Sequence, residues 1–155
     1  MKPTPTPQLL TTAFYAFYDL HQPAYHAYAA ARLPQEEALV SVTQLFALVA
    51  DNWATIVTKA RPSAWAWEKH TGTIARRCGR VATPAEDALL LHDELMLSVD
   101  RIATVTGTEP ATVTVLLAAA RRGRSRRSAA AGLARTAQRQ CRGRASGSGS
   151  ARCLH

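Results

Sequence analysis

The sequence predicts an all-α protein: two small helical domains followed by a disordered basic tail. Three observations predict it. Through most of residues 1–120, apolar side chains recur at steps of three and four, the period of one helix face. The alternating apolar and polar pattern of a half-buried strand is nearly absent. From residue 121 the periodicity dissolves into a stretch rich in Arg, Gly and Ser.

The chain has 155 residues, enough for one ordinary domain or two small helical ones. Its net charge of +8 is unevenly spread. Ten Arg and no acidic residue lie from Arg121 to the end. The other nine of the 19 Lys and Arg stand against all 11 Asp and Glu, so the body is slightly acidic. The basic character belongs to the tail and gives no general argument that the folded part binds nucleic acid.

Residues 1–7 alternate Pro and Thr and read as an extended, mobile arm. Helical character begins near Gln8, with Phe14, Phe17, Tyr18, Tyr25 and Tyr28 at helical spacing. Pro23 predicts a kink or restart near Gln22, because proline lacks the N–H and crowds the preceding turn. Leu33-Pro34 ends the pair. Residues 35–58 are the longest helical candidate, with Glu36 and Glu37 suited to its first turn. Leu39, Val42, Phe46, Val49, Trp53 and Ile56 keep its three-four rhythm and read as core. Arg61-Pro62-Ser63 is a break with Ser63 as a cap. AWAWEKHTGTIARRCGR follows as a weaker helix, since Thr71-Gly72-Thr73 are poor formers. Its mixture of Trp65 and Trp67 with Lys69, Arg76, Arg77 and Arg80 has two readings. One is a surface that stacks single-stranded bases and holds phosphate. The other is a core helix with its Trp buried and its Arg solvated.

Residues 79–82 form a short joint. Thr83-Pro84-Ala85-Glu86 predicts a capping box that starts a helix through Ala88, Leu91 and Leu95. The stretch LSVDRIATVTGTEPATVTVLLAAARR, residues 97–122, then reads as two short amphipathic helices about a turn at Gly107. Val99, Ile102, Ala103 and Val105 give the first an apolar face; Val113, Leu116, Leu117 and Ala120 give the second one. Thr108 is placed as the cap of the second helix and Pro110 in its first turn. This is the outline of a helix-turn-helix, or of an ordinary αα corner. The boundaries predicted are an arm at 1–7, a helical domain at 8–80, a second at 81–127 and a disordered tail at 128–155.

Cys78, Cys141 and Cys153 are far apart and odd in number, which argues against a disulfide framework and fits a reduced, cytoplasmic protein. His21, His26, His70, His92 and His155 show no metal-ligand spacing and read as surface or half-buried. No phosphate loop, nucleophile elbow or metal motif is present. No enzymatic activity, cofactor or metal is expected. No apolar run approaches a membrane span, and no membrane insertion is expected.

The order of these parts resembles the extracytoplasmic-function class of bacterial sigma-70-type sigma factors, over about residues 9–122. FYDLHQPAYHAYAAARLPQEEA is similar to the start of region 2, and EEALVSVTQLFALVADNW to the helix that docks on polymerase. PSAWAWEKHTGTIARRCGR resembles the promoter-opening segment, and LLLHDELMLSVDRIATVTGTEPATV resembles region 4. The resemblance implies that residues 8–80 are region 2-like and 81–127 region 4-like. It implies a transcription initiation factor that binds core RNA polymerase through Glu36, Glu37, Val40, Thr43, Gln44 and Phe46. It implies contact with the −10 promoter element through Trp65, Trp67, Lys69, Arg76, Arg77 and Arg80. Major-groove reading of the −35 element would fall to Thr108, Glu109, Ala111, Thr112 and Val115, with Arg121 and Arg122 near phosphates. An anti-sigma factor is a further implied partner. Aligned on Phe46, the positions where the family's docking helix usually carries an acidic residue, a Gln and a second acidic residue are Val40, Thr43 and Gln44. Two alternatives remain open: a polymerase-independent helix-turn-helix DNA binder, and a degenerate sigma-like protein-interaction module.

Overall fold

The computed structural model describes residues 3–145, and every regular element among them is helical. Helix α1 spans Pro7–Arg32, α2 Gln35–Asp51, α3 Trp53–Ile56 and α4 Pro62–Cys78. Helix α5, Pro84–Leu89, runs into a π-helical turn at Leu90–Glu94. Helix α6, Val99–Thr106, and α7, Pro110–Ala145, complete the described residues.

Helix α1 starts where Thr6 accepts the Leu9 N–H and Pro7 takes the first helical position, one residue earlier than predicted. It then continues unbroken through Pro23, without the expected restart. Phe17, His21, Tyr25 and Tyr28 bury its face on both sides of the proline, and packing outweighs the one lost hydrogen bond. The Arg101 guanidinium also donates to the Leu20 carbonyl, in the turn before Pro23.

The long helix expected at residues 35–58 is interrupted at Asn52, whose side chain donates back to the Leu48 carbonyl (2.8 Å). Glu36 and Glu37 do sit in the first turn of α2. Leu39, placed in the core by its spacing, is instead 57 % exposed; Ala38, Val42, Leu45, Phe46 and Val49 form the buried face. Helix α4 begins at Pro62 with no side-chain cap, so Ser63 does not serve as one. It ends at Gly79, whose left-handed backbone (φ 70°) closes the helix. The capping box is formed: Glu86 N–H donates to Thr83 Oγ1 (3.2 Å), and Thr83 N–H donates to Glu86 Oε2 (2.9 Å).

Rings form the core. Phe14, Phe17 and Trp53 meet at centroid distances of 5.3 to 5.7 Å, and Tyr18 stands edge-on to Phe46 at 4.6 Å. A second cluster joins Tyr25, Tyr28, Trp67 and His70. Among the described residues, His21 and His70 are interior, contrary to expectation. His70 Nε2–H donates to the Tyr25 carbonyl (2.8 Å), and burial holds the ring's pKa down at about 4. His21 is likewise pushed down to about 4, by burial and then by Arg101.

The chain does not divide near residue 80. Met1–Leu117 form one compact unit and Ala118–His155 a second. Three connections bind the expected halves of the first unit. Tyr28 Oη donates to Asp87 Oδ1 (2.6 Å), joining α1 to α5. Arg32 lies 3.6 Å from the same Asp87 carboxylate. Tyr25 Oη donates to the Val105 carbonyl of α6 (3.1 Å).

Within the second unit the described residues are helical to Ala145, where a disordered tail was expected from residue 128. Ala and Arg are strong helix formers and no Pro follows Pro110, so propensity holds a helix that has almost no apolar face. The remainder of the expected tail, residues 146–155, lies outside the described residues, as do residues 1 and 2 of the arm.

Candidate nucleic-acid and partner interfaces

The helix-turn-helix outline is realised as α6, a left-handed Gly107 (φ 69°) and the start of α7. Ser98 caps α6 by accepting the Arg101 N–H (3.2 Å). Ile102, Ala103, Val105, Val113 and Leu117 are buried as their spacing requires, while Val99, Leu116 and Ala120 are half-buried. Thr108 does not cap α7; its hydroxyl pairs with Thr106 Oγ1 (2.8 Å), and the helix opens on Pro110.

The predicted −35 set is split. Ala111, Thr112 and Val115 are exposed on the second helix of the motif. Glu109 is engaged by an ion pair with Arg61, which also donates to the Gly107 carbonyl (3.2 Å). Arg121 and Arg122 are exposed but belong to the second unit. The turn itself sits hard against α4: a Cβ on Gly107 would lie 2.3 Å from Ala64 N and 2.7 Å from Ala64 Cβ.

The predicted −10 set is divided between core and surface. Trp67 is half-buried in the ring cluster, 4.8 Å from Tyr28 and 5.7 Å from Tyr25. Trp65 is half-buried, with the Lys69 ammonium 5.6 Å from its ring centroid. Arg76 donates to Thr73 Oγ1 (3.1 Å), Arg77 to Gln44 Oε1 (2.9 Å) and Arg80 to Glu86 Oε1 (2.8 Å). Sequence patterning put Trp and Arg on one nucleic-acid surface; in the fold, Trp67 is a packing residue.

On α2, Glu36, Glu37, Val40, Thr43 and Gln44 are exposed. Phe46 does not share that exposed surface: it is buried between Phe17, Tyr18 and Tyr25, because the aromatic face of α1 needs a partner. Leu39 and Ala47 were missed. With Glu36, Val40 and Thr43 they form one outward row of α2, on which Leu39 is 57 % and Val40 45 % exposed. The sign available in the sequence was the excess of apolar residues on α2, more than one buried face can use.

Beside the motif, a cleft of about 300 Å³ is lined by Trp67, Thr71, Pro84, Ile102, Thr106 and Val113, among others. Its deep polar group is committed elsewhere: the Asp87 carboxylate accepts from Tyr28 and lies 3.6 Å from Arg32. Burial pushes the Asp87 pKa up, against the opposing pull of Tyr28 and Arg32. No group of three or more His, Cys, Asp or Glu that could hold a metal occurs among the described residues. No single helix there is long and apolar enough to cross a membrane.

No protein-family model, curated protein or solved structure matches this chain.

Proposed function

We propose that this chain is a sigma-like transcription initiation factor, which docks on core RNA polymerase through α2 and reads promoter DNA through its helix-turn-helix. The observation that carries the reading is the outward row of α2. Glu36, Leu39, Val40, Thr43 and Ala47 leave an apolar strip with an acidic end uncovered, the composition of a protein-docking surface. It coincides with the segment that resembles the polymerase-docking helix. The helix-turn-helix supports the DNA half: its apolar faces are buried, and Ala111, Thr112 and Val115 remain outside. An anti-sigma factor is the partner that this reading adds, competing for the same α2 row. The test is reconstitution. Core polymerase supplemented with the chain should initiate at discrete sites on genomic fragments. No initiation above core polymerase alone rejects the reading.

A second reading, a polymerase-independent helix-turn-helix DNA binder, is favoured by the state of the −10 set. Trp67 is packed among rings, and Arg77 and Arg80 are paired with Gln44 and Glu86, which leaves little of a stacking surface for separated strands. Sequence-selective duplex binding without any effect on core polymerase selects it.

A further inference from the structure

The described part of the second unit lies wholly within α7. Between Arg121 and Arg142 it carries eight Arg and no acidic residue. Their placement is ordered. At ~100° per residue, Arg121, Arg124, Arg135, Arg139 and Arg142 fall in a stripe about 60° wide and roughly 30 Å long. Arg122 and Arg126 lie about 130° and 170° around the axis from its centre, and Arg127 lies about 90° away on the other side. The face between the two rows holds only small side chains: Ser125, Ala129, Gly132, Thr136 and Gly143. Leu133 is the one large apolar residue in this part of the chain.

We propose that this helix lies lengthwise in the major groove of duplex DNA and grips it without regard to sequence. The small face turns toward the base edges, and the two Arg rows reach the two phosphate backbones. The groove of B-form DNA, about 12 Å wide, admits an α-helix. The major groove of A-form RNA is too narrow for one. A membrane surface would require a broad apolar face opposite the charges; here that side holds Leu133 and small residues and is broken by Arg122 and Arg126. Arg139 follows Arg135 by four residues and precedes Arg142 by three, spacings at which like charges repel along a helix. Phosphate relieves that repulsion. The inference stands independently of the sigma-like reading.

The experiment is fluorescence anisotropy of the full chain, without polymerase, on labelled duplexes of about three helical turns and unrelated sequence. Affinity should be the same on each and fall steeply with salt. Replacing Arg135, Arg139 and Arg142 by Gln should make the slope of log K against log salt shallower by about 2.7, since each released phosphate contributes about 0.9. Lys at the same positions should restore it. Gly132→Leu keeps the charge, improves helix propensity and has open space around it, yet should weaken binding several-fold by lifting the small face from the groove. Circular dichroism should show all variants helical. An unchanged slope in the Gln variant overturns the proposal. So does an unchanged affinity in Gly132→Leu. Binding to duplex RNA, or to vesicles of phosphatidylserine and phosphatidylcholine, that equals or exceeds binding to DNA also overturns it.

Discussion

Gly107 and Ala64 touch backbone to backbone: a Cβ added to the glycine would stand 2.6 Å from Ala64 Cα. The turn of the helix-turn-helix is thus seated on the first turn of α4, and Arg61 ties the same corner through Glu109. Gly107→Ala adds a left-handed alanine and a backbone clash, and should cost about 2–5 kcal/mol. Gly79→Ala has the same φ problem with nothing within 4 Å, and should cost only about 1–2 kcal/mol. Urea unfolding of the two variants measures the difference. Equal losses would show that the seat on Ala64 contributes nothing.

Tyr28→Phe removes the hydroxyl that donates to Asp87 and leaves a buried carboxylate with Arg32 as its remaining partner. The expected loss is about 1–3 kcal/mol. Because the lost bond favoured the ionised form, the Asp87 pKa should rise further, which carboxyl NMR titration would follow. An unchanged urea midpoint would remove this link from the account of why the first unit is undivided.

Stability should fall with acid. Burial holds the His21 and His70 rings down to about 4, below the ordinary imidazole value of about 6.5. Their contribution is complete above about 6.5 and is lost as pH falls toward about 4, since the unfolded state takes up the protons first. Asp87, shifted upward, acts with the opposite sign. The urea midpoint should drop between pH 7 and 4.5, and His70→Phe should remove on the order of half of the drop. A flat profile in the parent protein would contradict the burial assigned to both rings.

Val115 is 64 % exposed on the second helix of the motif. Val115→Glu should leave stability within about 0.5 kcal/mol and sharply reduce sequence-selective duplex binding, because it sets a carboxylate against the groove. Unaltered selectivity would place the DNA-reading face elsewhere.

What the sequence made legible was local. The capping box at Thr83, the turn at Gly107 and the apolar faces of Ile102 and Val113 follow from residues three or four apart, and they form as expected. Pairings across the chain were not legible. Tyr28 and Asp87 are 59 residues apart, and nothing in either neighbourhood names the other. The phase of α2 is blurred for a related reason: its apolar residues exceed one face, so Leu39 reads as core by its spacing, and Phe46, which the spacing also places in the core, enters the docking set only through the resemblance. Beyond residue 127 helix α7 has no apolar periodicity to mark it in the sequence, because an Ala- and Arg-rich helix is held by propensity without it. The burial of His21 and His70 depends on rings from α1 and α4 meeting, which composition does not encode.

Retention of core RNA polymerase by the immobilised full chain tests the central claim most directly. The account predicts that core polymerase is retained by the parent protein. It also predicts that the exposed pair Leu39→Ser and Val40→Ser abolishes retention while leaving the thermal unfolding midpoint in place. Failure of the parent chain to retain core polymerase, or retention undiminished in the double variant, would contradict it.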